Sequence, residues 1–232
     1  EILAEKFDIS REEQDKYAFE SQMKAKKAWD EGLFDDEIVP VTIKDKRGND
    51  ITITKDEHPR PETTLEKLAK LPPVFKKGGT VTAGNSSGLT DGAAALVLTT
   101  EKNAKDLGLK PIAEILCATS AGVHPREMGL GPVPATTKLL KLNKLRISDL
   151  ELIEINEAFA AQALACERSL KWDVERRNIK GGAIALGHPI GCTGSKITVT
   201  LLHSLIQSDK ELGLATLCVS GGLGMSLLIK RL

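Results

Sequence analysis

The sequence predicts an α/β protein, and three observations carry that prediction. From residue 111 onward, apolar runs of strand length alternate with runs whose apolar residues recur at helical spacing. The run Ala93–Leu98 is almost continuously apolar, the pattern of a strand buried on both faces. Glycine-rich stretches at 84–88, 181–194 and 220–224 fall where strands should turn into helices or into other strands.

Taken in order, Ile2 to Phe7 read as the middle of a helix, and a chain that opens on Glu1 without methionine reads as cut from a longer one. Ser10 and Glu13 form a capping box that starts an exposed helix, with Ala18, Ala25, Ala28 and Trp29 on one side and Gly32 at its end. Ile38 to Ile43 alternates as a strand, Arg47-Gly48-Asn49-Asp50 turns, and Ile51 to Thr54 returns as its hairpin partner. Residues 56–73, with prolines at 59, 61 and 72, read as an excursion over a surface. Beyond Ala93–Leu98, a helix is predicted at Glu101–Leu107, a strand at Pro111–Cys117 and a helix at Pro134–Leu142. The strand Leu150–Ile155 then runs into Asn156, which stands where a helix N-cap is expected, with Phe159, Ala163, Cys166 and Leu170 on one helical face. Ile197, Leu201, Leu202 and Leu205 mark the last helix, capped near Thr193 or Ser195, before the strands Leu214–Val219 and Met225–Ile229.

The totals exclude several classes of function. The 32 basic and 32 acidic residues cancel, so no overall field draws the protein to nucleic acid or to an anionic membrane. No apolar run approaches the roughly 20 residues a membrane helix needs, and no secretory leader pattern is present. Cys117, Cys166, Cys192 and Cys218 are too far apart for a Cys-x-x-Cys metal or redox site and too few for a disulfide scaffold, so a reducing, cytoplasmic setting is expected and no metal.

Three junctions carry chemistry when taken together. His188 is framed by glycines in Gly181-Gly182-Ala183-Ile184-Ala185-Leu186-Gly187-His188-Pro189-Ile190-Gly191-Cys192-Thr193-Gly194, a setting that fixes an imidazole on a turn. Asn156 ends a strand, and Cys218 ends another just before Gly221-Gly222. Each has a plain structural reading: a histidine in a turn, a helix cap, a small buried hydrophobe. As a set they offer a thiol, a proton shuttle and a carboxamide that can hold a water or an oxyanion, at the strand ends where α/β proteins bind ligands.

These residues also carry a resemblance. Gly84-Asn85-Ser86-Ser87-Gly88 with Asp91-Gly92-Ala93-Ala94-Ala95, then Asn156-Glu157-Ala158-Phe159-Ala160, then Gly187-His188-Pro189-Ile190-Gly191, then Cys218 before Gly221-Gly222, resemble the successive signatures of the thiolase family. The four motifs stand in the family's order and, with Ser10-Arg11-Glu12-Glu13-Gln14-Asp15, span nearly the whole chain. Within the family the chain is most similar to the acetoacetyl-CoA thiolases, which are acetyl-CoA C-acetyltransferases.

The resemblance implies a thiolase-like fold, with mixed sheets packed between helices, divided as a partial lid domain at 1–83, the last strand and helix of the N-terminal half at 84–108, and a C-terminal thiolase domain at 109–232. It implies that His188 activates a nucleophilic cysteine and, with a water held by Asn156, binds the thioester oxygen. Cys218 matches the cysteine that exchanges the α-proton, a role for which a lowered pKa is expected, with His188 as its partner. For the CoA arm the resemblance picks out Arg60 against the adenine, Ser87 on the pantetheine, and Leu71, Phe75 and Phe159 as apolar contacts. No cofactor beyond the CoA thioester substrate is implied, and homodimers or homotetramers are.

Two departures accompany it. The acyl-accepting cysteine of thiolases lies in a Cys-Gly-Ser/Ala-Gly setting that this sequence lacks, so the nucleophile is expected from a preceding segment and the chain alone is expected to be inactive. Ser220 stands where the family has glycine in Cys-x-Gly-Gly-Gly; its backbone N–H matches an oxyanion donor, but serine tolerates positive φ poorly, which implies a hole of altered shape. Two other readings remain beside the enzyme: a non-catalytic half-length homologue that binds acyl-CoA or a partner, and a ketoacyl synthase, which shares the fold but usually has a second histidine in place of Asn156.

Overall fold

A computed structural model describes residues 1–232. The chain opens with helix α1 (Ile2–Lys6) and the long helix α2 (Arg11–Asp30). Ser10 Oγ accepts from Glu13 N at 3.1 Å while Glu13 Oε2 accepts from Ser10 N at 2.8 Å, so the capping box forms as its spacing predicts. Gly32, at φ +69°, follows the end of α2 in the left-handed region open to glycine. The hairpin β1 (Val41–Lys44) and β2 (Asp50–Ile53) pairs antiparallel around the Asp45–Asn49 turn, and its four-residue strands lie wholly exposed. A short helix α3 (Leu65–Ala69), capped by Thr64 Oγ1, lies within the stretch read from sequence as an irregular excursion.

Residues 91–100 form no strand, and this corrects the sequence expectation for Ala93–Leu98. A strand exists only by pairing its backbone, and no segment of the chain forms a ladder with these residues. The apolar character remains without cover, with Val97 92% and Leu98 66% exposed. The helix α4 (Glu101–Asp106) follows, capped by Thr100.

The remaining elements build a four-stranded mixed sheet in the order β3 (Ala113–Gly122), β6 (Leu223–Arg231), β5 (Leu212–Val219) and β4 (Leu152–Ile155). Only β4 and β5 run parallel, and β3 meets β6 antiparallel with a bulge between Ile115 and Cys117. The helices α5 (Pro132–Asn143) and α6 (Ala160–Leu170) cover one face, where Leu139, Ile153, Ile155, Cys166, Leu214 and Leu228 form the largest apolar cluster. The opposite face packs on α8 (Thr193–Gln207) through Leu152, Ala215, Ile229 and the helix residues Ile197, Leu201, Leu202 and Leu205. β4 is therefore buried at every residue, as a strand between two helical layers must be. A short helix α7 (Ala183–Leu186) lies under α2, joined to it by Ala25, Ala28, Ala185 and Leu186. No helix is long and apolar enough to cross a membrane.

A second correction concerns Asn156. Helix α6 begins only at Ala160, with Phe159 as its N-cap, and residues 156–159 form no helical turn. The tertiary pairing of this segment with the glycine loop decides the matter: Ser87 N donates to Ala158 O at 3.0 Å, Ala160 N donates to Asn85 O at 2.9 Å, and Ser86 bridges Phe159. The Asn156 carboxamide is thereby released from capping.

Candidate active site

The carboxyl ends of β4 and β5 lie side by side, joined by Asn156 N donating to Thr216 O at 3.0 Å. Asn156 leaves the end of β4 fully buried. Gly187, at φ +88°, turns the chain out of α7 in a conformation that favours glycine and delivers His188 beside it. The backbone of His188 is fixed by its N–H donating to Gly88 O at 2.9 Å, which ties the histidine turn to the 84–92 loop.

Asn156 Nδ2 donates to His188 Nε2 at 3.4 Å, so two of the three predicted residues meet. On the other side of the ring, Nδ1 lies 2.7 Å from Thr193 Oγ1, whose own hydroxyl donates to Pro189 O at 3.0 Å. With that hydroxyl committed to Pro189, Thr193 can only accept from the ring. The network thus assigns the proton to Nδ1 and leaves the Nε2 lone pair toward Asn156. The sequence pattern marks Thr193 only as a cap for α8, whereas Cys192 occupies the N-cap position and the threonine sets the histidine tautomer. The signal that could have found it is a hydroxyl five residues beyond the histidine, in the first turn of the helix that the histidine turn opens. Burial, and then the positive charge of Lys196, hold the His188 imidazole below its ordinary pKa, so it is neutral at pH 7. Asn156 Oδ1 is buried and accepts nothing from the protein, which directs its acceptor capacity to a non-protein donor.

Cys218 sits at the end of β5, buried, and hydrogen-bonds to neither His188 nor Asn156. Burial pushes its thiol up to about 11, contrary to the lowered value expected from sequence. An apolar strand end with no cation in contact favours the neutral thiol, which rests as an acid rather than a thiolate. The expected distortion at Ser220 is absent too. The left-handed conformations of the β5–β6 turn fall on Gly221 (φ +83°) and Gly222 (φ +94°), and Ser220 keeps a negative φ.

A cleft of about 500 Å³ opens between α2, α3 and the 84–86 loop, lined among others by Gln22, His58, Arg60, Leu71, Ser86 and Ile184. Of the residues assigned to the CoA arm, Arg60 and Leu71 line it. Arg60 is exposed and tethered by its backbone N–H to Gln22 Oε1 at 2.8 Å. Ser87 is not among the lining residues, and its hydroxyl donates to Ala158 O at 3.1 Å. Phe75 and Phe159 pack edge to face with centroids 5.8 Å apart outside the cleft wall, and Phe75 is 67% exposed.

A mixed sheet between helical layers, with an imidazole and a carboxamide in contact at parallel strand ends, defines an α/β protein with a polar site at its strand ends. The family then follows from comparison. Residues 1–102 match the thiolase N-terminal domain model and residues 109–231 the thiolase C-terminal domain model, and the chain belongs to the thiolase family. It is 52% identical over 231 residues to the acetyl-CoA acetyltransferase of Pseudomonas aeruginosa, covering 100% of this chain and 59% of that one. The crystal structure of the Bacillus anthracis acetyl-CoA acetyltransferase superposes with a TM-score of 0.97 at 52% identity, over 99% of this chain and 58% of that chain. The human mitochondrial 3-ketoacyl-CoA thiolase in complex with CoA gives 0.95 at 49% identity, over 99% and 57%. The chain thus spans about 59% of the length of the curated relatives it matches.

Proposed function

We propose that the chain supplies the His188, Asn156 and Cys218 part of an acetyl-CoA C-acetyltransferase, which joins two acetyl-CoA into acetoacetyl-CoA and free CoA and cleaves acetoacetyl-CoA in reverse. The contact between Asn156 and the Nε2 side of a tautomerically fixed His188 carries this reading. It gives a neutral base at pH 7 and, through the unused Asn156 oxygen, a place for the water that completes a thioester-oxygen site. The names of relatives at about 50% identity support the substrate class.

In cleavage, a cysteine thiolate from a segment outside this sequence attacks the ketone carbon. The carbon–carbon bond breaks toward the departing acetyl-CoA, whose α-carbon takes the proton of the Cys218 thiol. A thiol held neutral by burial is in the state this step needs. The acetyl group left on the attacking cysteine then passes to the sulfur of free CoA, whose thiol proton returns to Cys218. In condensation the steps reverse: the Cys218 thiol first protonates the CoA thiolate leaving from acetyl-CoA, and its thiolate then removes the α-proton of the second acetyl-CoA. Arg60 and Leu71 in the cleft, with Ser87, Phe75 and Phe159 beside it, would receive the CoA arm, and the Ser220 N–H would donate to the second oxygen site. We place the protein in the cytoplasm, in keeping with four free cysteines, and as a homodimer or homotetramer.

The test is thiolysis of acetoacetyl-CoA by the chain alone and by the chain joined to the preceding segment of a thiolase. The chain alone should be inactive and the joined protein active, with activity abolished by His188→Ala. A folded joined protein that binds CoA yet cleaves nothing would leave the non-catalytic reading in its place.

A further inference from the structure

Glu157, next in sequence to Asn156, is 2% exposed, and four donors from three segments converge on its two carboxylate oxygens. Tyr17 Oη donates at 3.2 Å and Ser21 Oγ at 2.7 Å, both from α2; Asn178 Nδ2 donates at 2.7 Å and the backbone N–H of Ile184 in α7 at 3.2 Å.

Each donor extends the cluster. Asn178 closes on the last residue of β4, accepting from Ile155 N at 2.8 Å and donating to Ile155 O at 3.0 Å. Ser21 Oγ accepts from Gly182 N at 3.0 Å, and a Cβ at Gly182 would lie 2.2 to 2.5 Å from the Glu157 carboxylate atoms. Only glycine lets the histidine-bearing turn approach this closely. Tyr17 in turn lies under the Arg177 guanidinium, 4.1 Å from its ring centroid, and Arg177 pairs with Glu167 at 3.1 Å on α6.

A buried carboxylate is costly to desolvate, and holding segments together does not by itself require one. The position of this one explains it. Glu157 is bonded through the chain to Asn156, and through Ile184 it is hydrogen-bonded to the helix whose end turns at Gly187 into His188. The carboxylate therefore couples the two halves of the Asn156–His188 contact and joins both to α2. We propose that Glu157 is a positioning residue which, with Tyr17, Ser21, Asn178 and Ile184, sets the separation of the Asn156 carboxamide from the His188 imidazole. This rests on the reading of that pair as the thioester-oxygen site, and one arm of the test is independent of it.

The complete protein carrying Glu157→Gln is compared with Ser21→Ala and Tyr17→Phe, which each remove one donor and change little volume. An amide offers one acceptor oxygen and two donor hydrogens where four donors already point, so Glu157→Gln disturbs the cluster without emptying it. The first readout is the side-chain ¹⁵N resonances of His188 in histidine-labelled protein, identified by their loss in His188→Asn. The second is thiolysis of acetoacetyl-CoA. Glu157→Gln is expected to move the His188 resonances and to lower kcat about 10²-fold with KM little changed, the signature of a misplaced reacting group. Should Glu157→Gln fail to fold, Ser21→Ala and Tyr17→Phe carry the same expectation with smaller losses. Resonances that stay in place in the folded variants overturn the proposal, as does a wild-type kcat in an active protein. Resonances that move in a protein whose wild type performs no thiolysis sustain the positioning role and remove the catalytic reading instead.

Discussion

Asn156 and His188 are 32 residues apart in sequence, yet the carboxamide nitrogen of one lies 3.4 Å from Nε2 of the other, brought there by a strand end and a glycine turn. Replacing Asn156 by alanine removes both the donor to Nε2 and the unused acceptor oxygen. In a protein completed by the preceding segment of a thiolase the expected cost is about 10²–10³ in kcat, the range for loss of one preorganised donor, here the water that Asn156 Oδ1 is proposed to hold. Steady-state thiolysis kinetics check this. A loss confined to KM would mean that Asn156 binds the thioester without stabilising its transition state.

Thr193 is the second half of that geometry. Its hydroxyl accepts from His188 Nδ1 because it donates to Pro189 O, and valine keeps the shape while removing both bonds. Thr193→Val should release the imidazole to exchange tautomers, visible as altered ¹⁵N shifts for both ring nitrogens, and should lower kcat by about 10²-fold as the proposed base becomes misoriented. Thr193→Ser should retain the tautomer and most of the rate. A valine variant with native shifts would show that Pro189 and the glycines alone orient the ring.

The contrast between Ser10 and Thr193 shows how much of the molecule was legible in its sequence. Ser10 and Glu13 lie within one helical turn and satisfy each other, so spacing alone reveals the cap. The strand before Asn156 and the helices at 101, 132 and 193 were legible for the same reason, since local pattern and tertiary burial agree there. Thr193 and Asn156 are both good local caps, but each is taken by a partner remote in the fold or across a turn, which spacing does not show. The motif residues His188 and Asn156 were legible and do meet. The strand at 93–98 failed because its apolar pattern describes a burial that no segment of this chain provides.

Glu154 gives a pH test of the core. Burial raises its carboxyl from 4.5 to about 8, with the Lys196 charge opposing. A carboxyl whose folded pKa lies above its unfolded value contributes stability that is full below pH 4.5 and is lost as pH rises through about 8. Each pH unit between those limits removes about 1.4 kcal/mol, so the whole loss is on the order of a few kcal/mol. Glu154→Gln should flatten this dependence, leaving the variant more stable than the wild type at pH 9 and little different at pH 5. His188 acts in the opposite sense, since its lowered pKa removes stability as pH falls below 6.5, but it is common to both proteins and cancels in the difference. Urea denaturation of both at pH 5, 7 and 9 reads the result, and parallel curves would show that Glu154 stays charged in the fold.

The uncovered run at 93–98 makes a prediction for the chain made by itself. Val97 and Leu98 present apolar surface, and Leu107 and Leu109, after the short helix α4, are also exposed, at 70% and 49%. Apolar surface left free in this way drives association, because each Å² removed from water is worth about 25 cal/mol. Val97→Asp with Leu98→Lys places opposite charges on that surface without touching the sheet, α8 or the histidine turn. Sedimentation velocity should show the wild-type chain self-associating at concentrations where the double variant is monomeric, with the same circular dichroism for both. In the chain joined to the preceding segment of a thiolase the same pair of changes should be damaging and should lower the Tm, as expected where a strand of that segment lies against residues 93–98. Equal sedimentation of the two isolated chains would show that the exposed apolar area is too small or too irregular to hold a second copy.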